Sequence, residues 1–192
     1  MNLLRLASSF IVAAGVLASS AALAAEPEDT LILKLKDGEV SIALRPDLAP
    51  KHVEQIKALT RAGEYDNVAF HRVIEGFMAQ TGDVQFGDLE DGYSSQRAGT
   101  GGSSLGDLPA EFTNEPFERG TLGMARSSNP DSANSQFFIM FAPASHLNGS
   151  YTVVGKVESG MEVVDKIKRG NQSNNGSVTD PDRIISARIA AD

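Results

Sequence analysis

The chain has 192 residues, enough for one substantial core, and carries 17 Lys+Arg against 25 Asp+Glu for a formal net charge of −8. An acidic chain without a long Lys/Arg run is a poor binder of nucleic acid. Cys is absent, which excludes thiol catalysis, disulfides and Cys-based zinc sites.

Residues 1–24 read as a cleaved signal peptide. Arg5 is their one charge, an apolar run follows from Leu6 to Leu23, and the segment ends in the small-residue site Ala22-Leu23-Ala24. A transmembrane anchor fits less well, because the run carries several Ser and Ala and leads into acidic Glu26-Pro27-Glu28-Asp29 without a positive stop. Cleavage after Ala24 or Ala25 fits the pattern equally. What remains, residues 25–192, is expected to be a single domain one unit more acidic than the whole chain, with no membrane anchor. With no ER-retention ending (Ile189-Ala190-Ala191-Asp192), the expected address is a bacterial periplasm, and a eukaryotic secreted protein stays open.

Thr30–Lys36, an Asp37-Gly38 turn and Val40–Leu44 predict a β-hairpin. Pro50 suits the first turn of a helix carrying Val53, Ile56 and Leu59 and stopped by Gly63. Six more strands are expected at 69–74, 77–81, 121–125, 137–141, 151–157 and 184–189. A second helix is expected from Met161 to Arg169, with Gly170 as its stop. The stretch Val84–Gly120 is rich in Gly, Ser and Asp and reads as a long functional or disordered loop. Short strands in this number with two separated helices predict a mainly β fold and suggest an antiparallel barrel whose open ends the helices plug, while spacing alone does not establish closure.

The chemistry concentrates in Phe70–Asp83. Arg72, Phe77, Met78 and Gln80 stand within nine residues of mostly apolar, strand-like sequence. Arg72 brings a permanent charge and a rigid fork of donors, Gln80 a donor and an acceptor, and Phe77 and Met78 an apolar surface. Further on, Ser135-Gln136-Phe137-Phe138-Ile139 adds a second amide and a strand whose faces are Phe138/Met140 and Phe137/Ile139. Spacing does not say which pair faces inward.

These segments resemble the cyclophilin family of peptidyl-prolyl cis/trans isomerases. Gly99-Thr100-Gly101-Gly102, Glu111-Phe112, Gly120–Ala125, Asn134–Ile139, Leu147-Asn148-Gly149 and Val154–Val157 also occur in family order, so the likeness spans roughly Thr30 to Ile189. The resemblance implies an eight-stranded closed barrel with two helices and an activity that needs no nucleophile, metal or cofactor. It implies that Arg72 lies beside the prolyl bond with Phe77, Gln80 and Phe138 completing the catalytic set. Met78, Ala125, Arg126, Gln136, His146 and Leu147 are implied to line the substrate groove. Proline-containing segments of unfolded or flexible exported proteins are the implied partners, and the protein is expected to act as a monomer. Four positions depart from the family pattern. His146 stands where many eukaryotic members carry Trp, which implies weak cyclosporin binding. Arg126 replaces a commoner Asn, Tyr151 a frequent His, and Glu75 the usual Pro. Together they suggest a bacterial, exported branch.

Other readings are weaker. Gly102-Ser103-Ser104-Leu105-Gly106 satisfies the G-x-S-x-G pattern of serine hydrolases but lacks the apolar strand that should precede it. His52, His71 and His146 have no metal-ligand spacing. His52 is expected to be solvated on the first helix, and His71 to make a structural hydrogen bond. The strongest rival is a module that holds proline segments as a chaperone or adaptor with little catalysis. The presence of Arg72 together with Phe77, Gln80 and Phe138 argues against it, since affinity alone needs no arginine.

Overall fold

The computed structural model describes residues 25–192; the expected signal peptide, residues 1–24, lies outside the described residues. Eight strands form one antiparallel sheet in the order β3-β4-β6-β5-β7-β2-β1-β8. The first hairpin joins β1 (Thr30–Leu35) to β2 (Gly38–Leu44). Leu31, Leu33 and Leu35 alternate inward on β1, and Val40, Ile42 and Leu44 do so on β2. Leu35 pairs with Gly38, so the turn residues are Lys36-Asp37, one position earlier than the sequence suggested. Gly38 opens β2 at φ +145°, a conformation that a side chain rarely adopts.

Helix α1 (Pro50–Arg61) begins with Pro in its first turn and buries Val53, Ile56 and Leu59. The expected solvated His52 is instead fully buried. Its Nδ1 lies 2.7 Å from Glu111 Oε2, and the same carboxylate accepts from the backbone N–H groups of Lys51 and His52, both at 3.2 Å. Ala49, at the cap position, offers no side-chain oxygen, so a residue from the long loop satisfies the first N–H groups of the helix. Burial alone would push the Glu111 carboxyl up, but the bonds from the His52 ring and the two backbone N–H groups outweigh it and hold it below the usual carboxylate range.

Helix α2 covers Met161–Val164, shorter than the predicted 161–169. Beyond it the N–H groups of Lys166 and Ile167 bond three residues back rather than four, and Asp182 takes the N–H of Lys168 at 2.8 Å, drawing the chain out of the helix. Ile167 still reaches the core.

The remaining strands are β3 (Arg72–Ile74), β4 (Met78–Thr81), β5 (Thr121–Met124), β6 (Phe137–Met140), β7 (Val153–Ser159) and β8 (Ser186–Ile189). The closed barrel expected from the sequence is not made. The sheet is an open, curled half-barrel with β3 and β8 as its edges. Irregular chain spans the gap through an isolated Ala69–Arg183 bridge, the N–H of Phe70 on the carbonyl of Asp182 (2.8 Å) and the N–H of Ile184 on that of Val68 (2.9 Å). Asn67 (φ +64°), Asp180 (φ +53°) and Pro181, which has no N–H, keep these segments from extending into a ladder. Among the described residues no helix is long and apolar enough to cross a membrane.

Two apolar clusters lie on opposite faces of the central strands. One gathers Phe137, Ile139 and Ala79 with α1, α2 and the first hairpin. The other gathers Phe138, Met140 and Met78 with Phe117, Ala144, Leu147 and Val153. This settles the question that spacing left open: Phe137 and Ile139 face the main core, and Phe138 and Met140 face away from it.

Candidate active site

Register brings the distant segments together on that second face. Arg72 on β3 pairs with Gln80 on β4, Gln80 with Phe138 on β6, and Phe138 with Gly123 on β5. Cross-strand neighbours share a face, so these four residues form one row across the sheet. The next row is Ile74, Met78 and Met140. Gly123 is required at the end of the first row. A Cβ there would meet the Phe117 and Phe138 rings at 2.5 Å, so any side chain would displace the aromatic floor.

Above these rows lies a cavity of about 300 Å³, within the range that holds small ligands. Phe77, Met78, Phe138 and Leu147 make its apolar lining, with Phe77 stacked on the exposed His146 ring at 5.9 Å between centroids. Arg72, Gln80, Ala125 and Arg126 form its polar and small-residue borders. Nine of the ten site residues expected from the sequence thus meet in one place. Gln136 instead lines an adjoining cavity that shares Gln80, Ala125 and Arg126 with the first.

A chain of hydrogen bonds fixes the polar side. Arg72 Nη1 donates to Gln80 Oε1 at 3.2 Å, Gln80 Nε2 to Gln136 Oε1 at 3.0 Å, and Gln136 Nε2 to the Gly101 carbonyl at 2.8 Å. Gly101 is anchored in turn by buried Asp83, whose carboxylate accepts the N–H groups of Gln85, Phe86, Gly99 and Gly101 at 2.7–3.1 Å. Each amide in the chain gives and receives, which sets its orientation and leaves the guanidinium little freedom.

On its other side Arg72 donates Nε to the Asn175 carbonyl and Nη2 to Asn175 Oδ1, both at 3.0 Å. Asn175 sits at φ +51° within Asn174-Asn175-Gly176, a conformation that Asn tolerates well. Every partner of Arg72 is neutral, and loss of water pulls its pKa down, with Tyr151 opposing. The group stays charged at neutral pH, since a guanidinium starts so high.

Sequence reasoning missed two residues here. Tyr151 lines the cup, its ring edge-on to Phe138 at 5.9 Å. Asn175 lies outside every segment expected to contribute to the site, 103 positions along the chain from the arginine that it holds.

Three other expectations resolve. His71 is buried with neither ring nitrogen in good hydrogen-bond geometry among the described residues, and the Ala69 backbone is its nearest approach to the structural bond expected of it. Burial pushes its pKa down to about 4, the nearby Asp83 carboxylate and the Ala69 backbone opposing. Ser104, the would-be hydrolase nucleophile, lies in a turn of exposed chain with no strand before it. Val84–Gly120 contains no helix or strand, yet it is pinned through Asp83 and through Asn134, which accepts from the Ser103 N–H and Oγ at 2.8 and 2.7 Å.

Known proteins resemble this chain in sequence and in fold. A protein of Brucella suis described as a probable peptidyl-prolyl cis-trans isomerase is 64% identical over 187 residues, covering 97% of this chain and 95% of its own. A peptidyl-prolyl cis-trans isomerase of Dictyostelium discoideum is 38% identical, covering 83% of this chain and 97% of its own. Among solved structures, the cyclophilin AquaCyp293 of Hirschia baltica superposes with a TM-score of 0.73 at 25% identity, covering 88% of this chain and 76% of that one. A Cryptosporidium parvum cyclophilin-type isomerase, solved in the presence of the dipeptide Ala-Pro, superposes with a TM-score of 0.71 at 27% identity over 83% and 98% of the two chains. Residues 30–189 match the family described as cyclophilin type peptidyl-prolyl cis-trans isomerase/CLD, and with that match the chain belongs to the cyclophilin-type peptidyl-prolyl cis-trans isomerases.

Proposed function

We propose that the enzyme works in a bacterial periplasm, as a monomer, on X–Pro bonds of unfolded or flexible exported proteins, with Arg72 as the group that lowers the barrier. Rotation about such a bond crosses roughly 18–20 kcal/mol because amide resonance must break. Removing about 6–7 kcal/mol brings the rate from about one event per minute to on the order of 10³ per second. In the twisted state the prolyl nitrogen loses conjugation and gains a lone pair. A fixed cation beside it then binds the twisted state better than either planar one, with no covalent step.

The observation that carries this reading is the Arg72 guanidinium, half-buried, without a carboxylate partner among the described residues, and held by Gln80 and Asn175 at the border of an apolar cup. The cup grips the proline ring, whose burial contributes on the order of 1–3 kcal/mol. Gln80 holds Arg72 in place and keeps one N–H free to orient the substrate carbonyl. The reading of residues 1–24 as a signal peptide supports export, and exposed His146 at the rim supports weak cyclosporin binding.

The test is NMR exchange on a short X–Pro peptide with catalytic amounts of residues 25–192. Arg72→Ala should lower kcat/KM roughly 100-fold while peptide affinity changes only a few-fold, because the lost interaction belongs to the twisted state. Equal losses in turnover and affinity would remove Arg72 from this role. For export, the protein isolated from its cell should begin at Ala25 or Glu26; an intact Met1 would count against it.

A further inference from the structure

Arg126 stands on the partition between the proline cup and the second cavity, of about 480 Å³, and lines both. An extended chain advances roughly 3.3 Å per residue. A peptide with its proline in the cup therefore brings a side chain one or two residues away against this partition.

The guanidinium is held before any ligand arrives. Nε and Nη2 donate to the Ser150 carbonyl at 3.3 and 2.8 Å, and Nη1 donates to the Ser127 carbonyl at 2.8 Å. Its Cζ lies 4.4 Å from the centre of the Tyr151 ring. All of these partners are neutral, and among the described residues no carboxylate comes within ion-pair distance of it. Three N–H bonds are engaged, which leaves one on each terminal nitrogen, the pair of donors that a carboxylate takes bidentately. The charge is half-buried without a counter-ion, and its side chain is already ordered.

The rest of the second cavity is mainly amide and hydroxyl: Gln85, Thr100, Ser103, Asn134 and Gln136 contribute. The carboxylate in its lining, Asp107, is exposed and accepts from Asn134 Nδ2 at 3.1 Å, so water screens its repulsion of another anion.

Resting on the isomerase reading above, we propose that Arg126 is a specificity residue that selects X–Pro segments carrying Asp or Glu within two residues of the proline. The acidic protein as a whole repels such segments at long range. The contact with a partly desolvated guanidinium acts at short range and outweighs that repulsion.

The experiment measures exchange on an Ala-flanked X–Pro peptide, with Glu, Gln or Lys placed singly at each of the two positions on either side of the proline. At one or more positions the Glu peptide should be turned over with kcat/KM roughly three- to tenfold above its Gln isostere, and the Lys peptide should fall below Gln. In Arg126→Gln the Glu/Gln ratio should drop to about one, and in Arg126→Lys it should stay above one. With the wild type alone, raising salt from about 0.02 M to about 0.5 M should move the ratio toward one, a readout that needs no variant. Equal Glu and Gln rates at all four positions, a ratio indifferent to salt, or a ratio that survives in Arg126→Gln overturns the proposal. Failure of the wild type to turn over the Gln peptides overturns the isomerase reading instead, and the proposal with it.

Discussion

The two faces of β6 are made of the same kinds of residue and end in opposite uses. Phe137 and Ile139 are buried in the main core, in one cluster with residues of α1, α2 and the first hairpin. Phe138 and Met140, one position along, are covered by Phe117, Ala144, Leu147 and Tyr151, which come mostly from loops. Strands and helices together close the inner side, whereas loops cover the outer side in patches. The cup is the part of the outer face that the patches leave open. Hydrophobicity alone does not separate core from site here; what packs against each side of the strand does.

Truncation on each face should break this comparison most visibly. Phe137 is fully buried, edge-on to Tyr65 at 5.5 Å, so Phe137→Ala leaves a closed void and should cost about 3–5 kcal/mol of stability. Turnover per folded molecule should hardly change, and the milder Phe137→Leu keeps that comparison available if the alanine variant unfolds. Phe138→Ala opens onto the groove, where no sealed void forms, so it should cost about 1–3 kcal/mol while lowering kcat/KM more than tenfold. Urea unfolding paired with peptide exchange on both variants reads the contrast. If the two variants lose stability and activity in the same proportion, the division between faces is not a functional one.

A second contrast lies between His71 and Arg72. Arg72 stays charged at the groove, while His71 is buried beneath Gly99, whose Cβ position is 3.0 Å from the ring. Burial depresses the folded-state pKa of His71 to about 4 from an ordinary 6.5. Above pH 6.5 the ring is neutral in both states and its contribution to stability is complete. As pH falls from about 6.5 to about 4, the unfolded chain takes up a proton that the folded chain refuses, and about 3 kcal/mol is lost before the loss levels off. Unfolding free energies at several pH values should therefore fall less steeply in His71→Asn than in wild type across that window. Parallel curves would mean that the buried ring is not the acid-sensitive group.

What the sequence made legible follows the range of the interactions concerned. The hairpin and helix α1 were readable because alternating leucines and the Val53, Ile56, Leu59 spacing are local signals. The inner face of β6 was not, since both of its faces are apolar and the choice depends on Gln80 pairing with Phe138 from 58 residues away. His52 looked like a surface residue because the carboxylate that accommodates it, Glu111, comes from a loop without periodicity. Nine of the ten expected residues nevertheless line one cavity, because motif order carries long-range register that propensity cannot. Closure of the barrel failed as an expectation at its seam. The strands at the seam are only three and four residues long, and Asn67, Asp180 and Pro181 keep the neighbouring chain irregular.

The smallest expected effect sharpens the comparison at the rim of the groove, where Arg72 is held from two sides. Gln80 belongs to the sheet and is held by its strand, whereas Asn175 belongs to an exposed turn 103 residues away in the chain. Asn175→Ala removes the Oδ1 acceptor and keeps the backbone carbonyl, so the guanidinium loses one of its three oxygen partners and gains freedom. The cost should be about 1 kcal/mol, a five- to tenfold fall in kcat/KM, appearing in kcat rather than in KM because the loosened group matters most in the twisted state. Asn175→Asp should lower kcat further, since a carboxylate would pair with the guanidinium and stabilise it in the ground state as well. If Asn175→Ala raised KM and left kcat untouched, this residue would be shaping the groove rather than aiming the arginine.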